Sequence, residues 1–302
     1  MKVAVVGVGS MGRNHARVYS ELENAELIGV VDANSEQAKT VAEACNCPHF
    51  TGLSDLLDLG VEALSIAVST ARHKEVALEC IARGIHLLIE KPIALTVKDG
   101  QEILKAAKEH GTKVMIGQIE RFNPAVATLR DALKGQDIIS IGITRVGPFP
   151  PRMSDVGVII DLAVHDIDII RWLSGSDIVE VQAQTSSIRA DREDIALLQF
   201  RTENNVLAHV NTNWLTPFKS RTIQVATQEK FYTADLITRQ VTEHFDYQAD
   251  GTVRVGNLWV PGNEPLKAEL MAFLSALEKN EPMPVSGEEG LRNLEIAVEC
   301  LQ

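Results

Sequence analysis

Short apolar runs, each closed by glycine, a charge or a small polar residue, recur along the chain up to Gly117, and helical periodicity fills the intervals between them. The runs Lys2 to Val6, Glu26 to Val31, Ala63 to Val68, Ile85 to Glu90 and Lys113 to Gly117 read as buried strands. Between them the spacing predicts helices over Met11 to Leu22, Ser35 to Cys45, Lys74 to Arg83 and Thr96 to His110, with a short one near Leu53 to Leu57. Repeated strand–helix units of this kind predict a doubly wound parallel sheet.

From Gln118 the pattern changes. A helix ends near Lys134, and strand-like runs then dominate: Ile138 to Val146, Ile178 to Thr185, Ile195 to Phe200, Val206 to Trp214, Thr222 to Ala226 and Val253 to Val260. Few helices separate them, which predicts a largely antiparallel sheet. One helix in this half, Gly157 to Ile170, is apolar on nearly all sides and should be buried. Two more helical patterns, Pro265 to Lys279 and Glu288 to Leu301, close the chain. The expected class is α/β, with one domain over residues 1–119 and a second over 120–302. The proline-rich piece Gly147 to Pro151 reads as a loop that covers a site.

Composition narrows the function. The 302 residues are 45% hydrophobic and 23% charged, as in soluble globular proteins. A formal net charge of −12 argues against a general nucleic-acid or anionic-membrane binder, so any anionic ligand needs a local cluster of donors. The spacing of Cys45, Cys47, Cys80 and Cys300 matches neither a zinc site nor a redox pair, which suits reduced thiols in the cytoplasm. The apolar run after Lys2 is too short for a signal peptide, and no stretch approaches the length of a membrane span.

The chemistry starts at Gly7-Val8-Gly9-Ser10-Met11-Gly12. This G-x-G-x-x-G follows a strand and opens a helix, and Asp32 follows twenty residues after Gly12. That context marks a dinucleotide-binding turn. The Asp32 carboxylate suits the ribose hydroxyls of NAD and would repel the 2′-phosphate of NADP. Ser69 and Thr70 lie on the second strand-to-helix turn, where they could touch the cofactor. His73 either joins them or simply caps the next helix.

The strand from Ile85 ends in Glu90-Lys91-Pro92. Ligands bind beyond the carboxyl ends of strands in such sheets, so Lys91 is either a salt-bridged plug or a catalytic group. Asp161 and His165, four apart on the buried helix, share a face. They form either a structural hydrogen bond or a general base with the carboxylate that orients it. A metal site from Asp161, His165 and Asp168 has no cysteine or second histidine placed to complete it.

Together these residues resemble the glucose–fructose oxidoreductase / inositol dehydrogenase (Gfo/Idh/MocA) family of nicotinamide-dependent sugar oxidoreductases. Gly7 to Gly12, Glu90-Lys91-Pro92, and Asp161 with His165 carry the resemblance, in order along essentially the whole chain. It implies a Rossmann domain, then an α/β domain whose open sheet faces the nicotinamide and serves for dimer or tetramer formation. It implies that His165 is the acid/base, that Lys91 binds the reacting hydroxyl, and that Asp161 holds substrate or partners the histidine. Gly7, Gly9, Ser10, Met11, Gly12, Asp32, Ser69, Thr70, His73, Glu90, Lys91 and Gln118 are the expected NAD contacts.

One departure is that Ser154-Asp155-Val156-Gly157 keeps a single glycine where the family often has a pair. A narrower resemblance, carried by Gln118 to Pro124, Arg145 to Phe149 and Asp161 to Asp168, is to the branch that oxidises the 3-hydroxyl of UDP-N-acetylglucosamine. That branch supplies an aminotransferase making 3-amino sugars for cell-surface glycans. On that reading Arg121, Phe122 and Arg145 contact substrate, and Arg121, Arg145 and Arg152 supply donors to a diphosphate. A free cyclitol or monosaccharide is the alternative substrate. A non-catalytic NAD-binding regulator is the rival of another class.

Overall fold

A computed structural model describes residues 1–149 and 156–302. Arg152, Ser154 and Asp155, and Pro150 and Pro151 of the expected covering loop, lie outside the described residues.

The chain forms two compact units, one of residues 1–119 and 265–294, the other of 120–264 and 295–302. In the first, β1 (Lys2–Val6), α1 (Gly12–Glu21), β2 (Glu26–Val31), α2 (Ser35–Cys45), β3 (His49–Phe50), α3 (Leu53–Leu57), β4 (Ala63–Ile66), α4 (His73–Ala82), β5 (His86–Glu90), α5 (Val97–His110) and β6 (Val114–Gly117) alternate as the pattern predicts. All five strand pairings are parallel, in the order β3-β2-β1-β4-β5-β6. The order reverses between β1 and β4, where a doubly wound sheet binds its ligand. Val3 to Val6 and Leu87 to Ile89 are buried, as central strands covered on both faces must be. The β3 edge, only two residues long, carries too little pattern to be read from sequence.

The second unit begins with a 3₁₀ turn, Ile119–Phe122, and α6 (Pro124–Ala132), followed by β7 (Ile138–Val146). A π turn over Ile159–Ala163 then leads into α7 (Val164–Ser174). The strands β8 (Ile178–Ser186), β9 (Ile195–Thr202), β10 (Leu207–Asn213), β11 (Ser220–Thr227), β12 (Phe231–Asp235), β13 (Gln240–Phe245) and β14 (Arg254–Leu258) complete an eight-stranded sheet with β7. Among the described residues of this sheet, only β7 and β10 pair in parallel. One face of this sheet packs with α6 and α7 into a core of Ile141, Ile143, Ile167, Ile170, Leu198, Phe200, Val210 and Ile223. Two strands, β12 and β13, were not expected. Their hairpin turns on Asp235, whose Oδ1 accepts from Ile237 N and Thr238 N at 2.8 Å each, and on Arg239 at φ +57°. Neither residue is the glycine or asparagine that flags such a turn in sequence.

α8 (Pro265–Glu278) and α9 (Gly287–Glu299) correct the expected domain limit at 120–302, because residues 265–294 belong to the first unit. Small residues make this possible. A Cβ at Gly290 would strike Ile116 of β6, one at Gly287 would strike Leu104 of α5, and Gly100 lets Leu291 approach α5. Asn24 Nδ2 donates to Glu278 Oε1 at 3.0 Å, fastening α8 at the other side of the unit.

Candidate active site

The glycine turn has no room for side chains. Gly7 adopts φ +82°, its N–H donates to Val31 O at 2.8 Å, and a Cβ on it would stand 2.6 Å from Val68 N. A Cβ on Gly12 would overlap the carbonyl of Gly7. Around Gly9 the space is open, with Gln37 Nε2 the nearest atom at 3.9 Å. Gly9, Ser10 and Met11 lie at least partly exposed where α1 begins. Asp32, at the end of β2, accepts from Val8 N at 2.8 Å through Oδ2 and from Asn34 N at 2.9 Å through Oδ1. Gln37 Nε2 donates to Val8 O at 2.7 Å, so the turn is held from two sides.

A groove of about 290 Å³ runs past Gly7, Gly9, Asp32, Ser69 and Arg72, near the lower end of ligand-site volumes. A glycine cradle with an open face, a helix start and a fixed carboxylate fit a dinucleotide. Thr70 opens the 3₁₀ turn Thr70–Arg72 beside this groove.

His73 does not reach toward a ligand. It is 1% exposed, with Nδ1 3.0 Å from Pro92 O and Nε2 3.2 Å from Val68 O. Burial lowers its pKa, which keeps the ring neutral, so one nitrogen donates and the Pro92 contact is the shorter. The expected cofactor contact at His73 is therefore corrected to a brace between the β4 loop and Pro92. The Lys91–Pro92 bond is cis. Lys91 is half-buried, and Gln118, directly after β6, is buried.

In the second unit, Asp161 lies in the π turn, half-buried, and His165, the second residue of α7, is 8% exposed. The widened turn replaces the uniform helix expected over 157–170. Val164 N donates to Ile159 O, five residues back, which inserts one residue between the two helical registers. Glu193 explains the single glycine before it. Its carboxylate lies where a Cβ of Gly157 would be, and its Oε1 accepts from Ile159 N at 3.2 Å.

Beneath α7 lies a buried wall of charge. Arg145 donates through Nε to both oxygens of Asp166, at 2.8 and 3.0 Å, and through Nη1 to Glu120 Oε1 at 2.8 Å. Arg221, opposite Arg145 on β11, also donates to Glu120 Oε1, at 3.2 Å. Burial pushes Asp166 up to about 6, with Arg145 opposing, whereas Arg145 and Arg221 overcome burial at Glu120 and hold it low. Arg121 forms a fork with Asp168, at 2.6 and 2.7 Å, and lies 5.7 Å from the Trp172 ring centre.

Arg121 and Arg145 are 5% and 2% exposed. The geometry corrects their expected part as diphosphate donors: both guanidiniums hold buried carboxylates, and Arg145 Nη2, unpartnered among the described residues, is sealed from solvent. Asp168 is correspondingly committed to Arg121 and not to a metal set. Phe122, half-buried, ends the 3₁₀ turn that carries Arg121. Glu120, Asp166 and Arg221 went unread in the sequence. Asp166, a carboxylate amid apolar neighbours beside His165, was the one signal that could have disclosed the wall.

Comparison with known proteins follows the same division. Residues 1–118 match the model of an oxidoreductase family with an NAD-binding Rossmann fold, and residues 146–232 match the GFO/IDH/MocA C-terminal domain. The UDP-N-acetylglucosamine 3-dehydrogenase of Acidithiobacillus ferrooxidans is 31% identical over 99% of this chain and 96% of its own. Its solved structure superposes with a TM-score of 0.93, at 30% identity, over 99% of this chain and 96% of that one. Inositol 2-dehydrogenase 2 of Saccharopolyspora erythraea is 32% identical over 70% of this chain and 66% of its own. A levoglucosan dehydrogenase in complex with NADH shares the fold at 20% identity, with a TM-score of 0.90 over 100% of this chain and 96% of that one.

Proposed function

The chain belongs to the Gfo/Idh/MocA family of NAD-binding oxidoreductases, and from that premise we propose that it oxidises the 3-hydroxyl of UDP-N-acetylglucosamine, in the cytoplasm, for amino-sugar synthesis. The observation that carries the choice of substrate is the end-to-end likeness to a UDP-N-acetylglucosamine 3-dehydrogenase. Bound NAD supplies the hydride acceptor. His165 removes the hydroxyl proton, a task suited to an imidazole near neutral pH. Lys91 holds the hydroxyl oxygen and stabilises the negative charge that develops there. Asp161 binds the sugar or orients the histidine. With Arg121 and Arg145 committed to carboxylates, Arg221, whose side chain is 39% exposed, is the cation of the wall within reach of a phosphate.

Those two committed arginines also favour a second reading, a neutral cyclitol or monosaccharide, in keeping with the inositol dehydrogenase likeness. Rates of NAD reduction with UDP-N-acetylglucosamine, myo-inositol and glucose decide between them. The nucleotide sugar is expected to be preferred, and turnover of myo-inositol with silence toward the nucleotide sugar selects the second reading. In either case His165→Ala should lower turnover by roughly 10²–10⁴-fold while NAD affinity, measured by titration, stays close to wild type.

A further inference from the structure

Inside the first unit, four polar side chains make an unbroken path to the strand end that carries Lys91. Tyr19 OH lies 2.9 Å from Ser65 Oγ, Ser65 Oγ lies 3.1 Å from His15 Nδ1, and His15 Nε2 lies 2.9 Å from Glu90 Oε1. Tyr19, Ser65 and His15 are wholly buried. One arrangement of protons satisfies the whole path: Tyr19 donates to Ser65, Ser65 to Nδ1, and Nε2–H to Glu90. These positions follow from the network, as hydrogen positions must. A satisfied buried network is stiff and fixes the groups at its ends. Ser65 next to a histidine and a carboxylate resembles a hydrolytic triad, but its burial bars any substrate from the hydroxyl.

The outer end of the path is Glu90, whose side chain is 12% exposed. His15 takes Oε1, and Oε2 is the carboxylate oxygen nearest the Cβ position of Gly117. Gly117 on β6 leaves space for that carboxylate, since a Cβ there would come within 3.2 Å of Oε2. Asp32 ends β2 and Glu90 ends β5, with β1 and β4 between them. Three strand spacings, roughly 14 Å, separate the two carboxylates, so a dinucleotide whose adenosine ribose meets Asp32 brings its nicotinamide end toward Glu90.

We propose that His15 is a positioning residue for the nicotinamide of NAD: it clamps Glu90 Oε1 so that Oε2 stands as a fixed acceptor for the carboxamide N–H of the nicotinamide. α1 thus serves both halves of the cofactor, the pyrophosphate with its first turn and the nicotinamide through His15. The inference rests on NAD binding and not on which sugar is oxidised.

The test compares NAD with ADP-ribose, which keeps everything but the nicotinamide. His15→Ala should raise the dissociation constant for NAD about tenfold, or 1.4 kcal/mol, and leave that for ADP-ribose within about twofold. His15→Gln, whose amide can still donate to Glu90, should recover most of the loss. Should His15→Ala fail to fold, Ser65→Ala and Glu90→Ala carry the same comparison, with selective weakening of NAD expected in each. Equal weakening of both ligands, no change for NAD, or a wild-type protein that binds NAD no tighter than ADP-ribose overturns the proposal. A wrong choice of sugar leaves all these constants as they are.

Discussion

Gly7, Gly12 and Asp32 could be read from sequence because their work is done by local backbone and charge. The turn needs φ +82° at Gly7, and a Cβ at Gly12 meets the Gly7 carbonyl, whatever the rest of the chain does. Arg145 and His73 could not be read that way, because their exposure depends on partners from other elements, Asp166 and Glu120 for one, Pro92 and Val68 for the other. His73 carries a prediction of its own. Its pKa in the folded state lies below the ordinary 6.5, so the unfolded chain binds a proton more readily and stability falls as the pH drops through 6.5. Urea midpoints measured at pH 7.5 and 5.5 should show this loss, and His73→Gln should lose a smaller share of its stability between the two. An unchanged or steeper loss in the variant refutes the neutral brace.

At the scale of elements, periodicity located nearly every helix and strand of the first unit, since buried parallel strands and amphipathic helices differ plainly in pattern. It failed where the helix itself departs from its usual period. The π turn at Ile159–Ala163 changes the angle between Asp161 and His165, and no residue type there signals it. Deleting Leu162 should close the turn to α geometry and rotate Asp161 by about 100° relative to His165. Turnover is then expected to fall about 100-fold or more with NAD affinity within twofold of wild type, whereas Leu162→Ala should keep most activity. If the deletion variant remains folded and fully active, the extra residue has no bearing on catalysis.

At the scale of the molecule, one face of the second sheet carries no helix among the described residues of its own unit. Leu197, Gln199, Leu207, His209, Thr222, Thr233, Thr242 and Val255 alternate outward from strands whose other face is core, and Leu197, Leu207 and Val255 are about half exposed. We expect a second copy to cover this face, as the family resemblance implies. Light scattering should then find a dimer or tetramer, and the double variant Leu197→Arg, Leu207→Glu should run as a monomer; an unaltered mass places the contact elsewhere. Most strands of this sheet were legible as apolar runs, β12 and β13 excepted, and α8 and α9 were legible as helices, but their return to the first unit was not, since contact across so long a separation leaves no local mark. Their return has a consequence for how the protein is made. Synthesis delivers residues 1–119 early, but Ile116, Leu104 and Gly100 stay uncovered until Gly287, Gly290 and Leu291 follow. The half translated first is therefore completed last, and a chain ended before Pro265 lacks part of its NAD-binding body, not a dispensable tail.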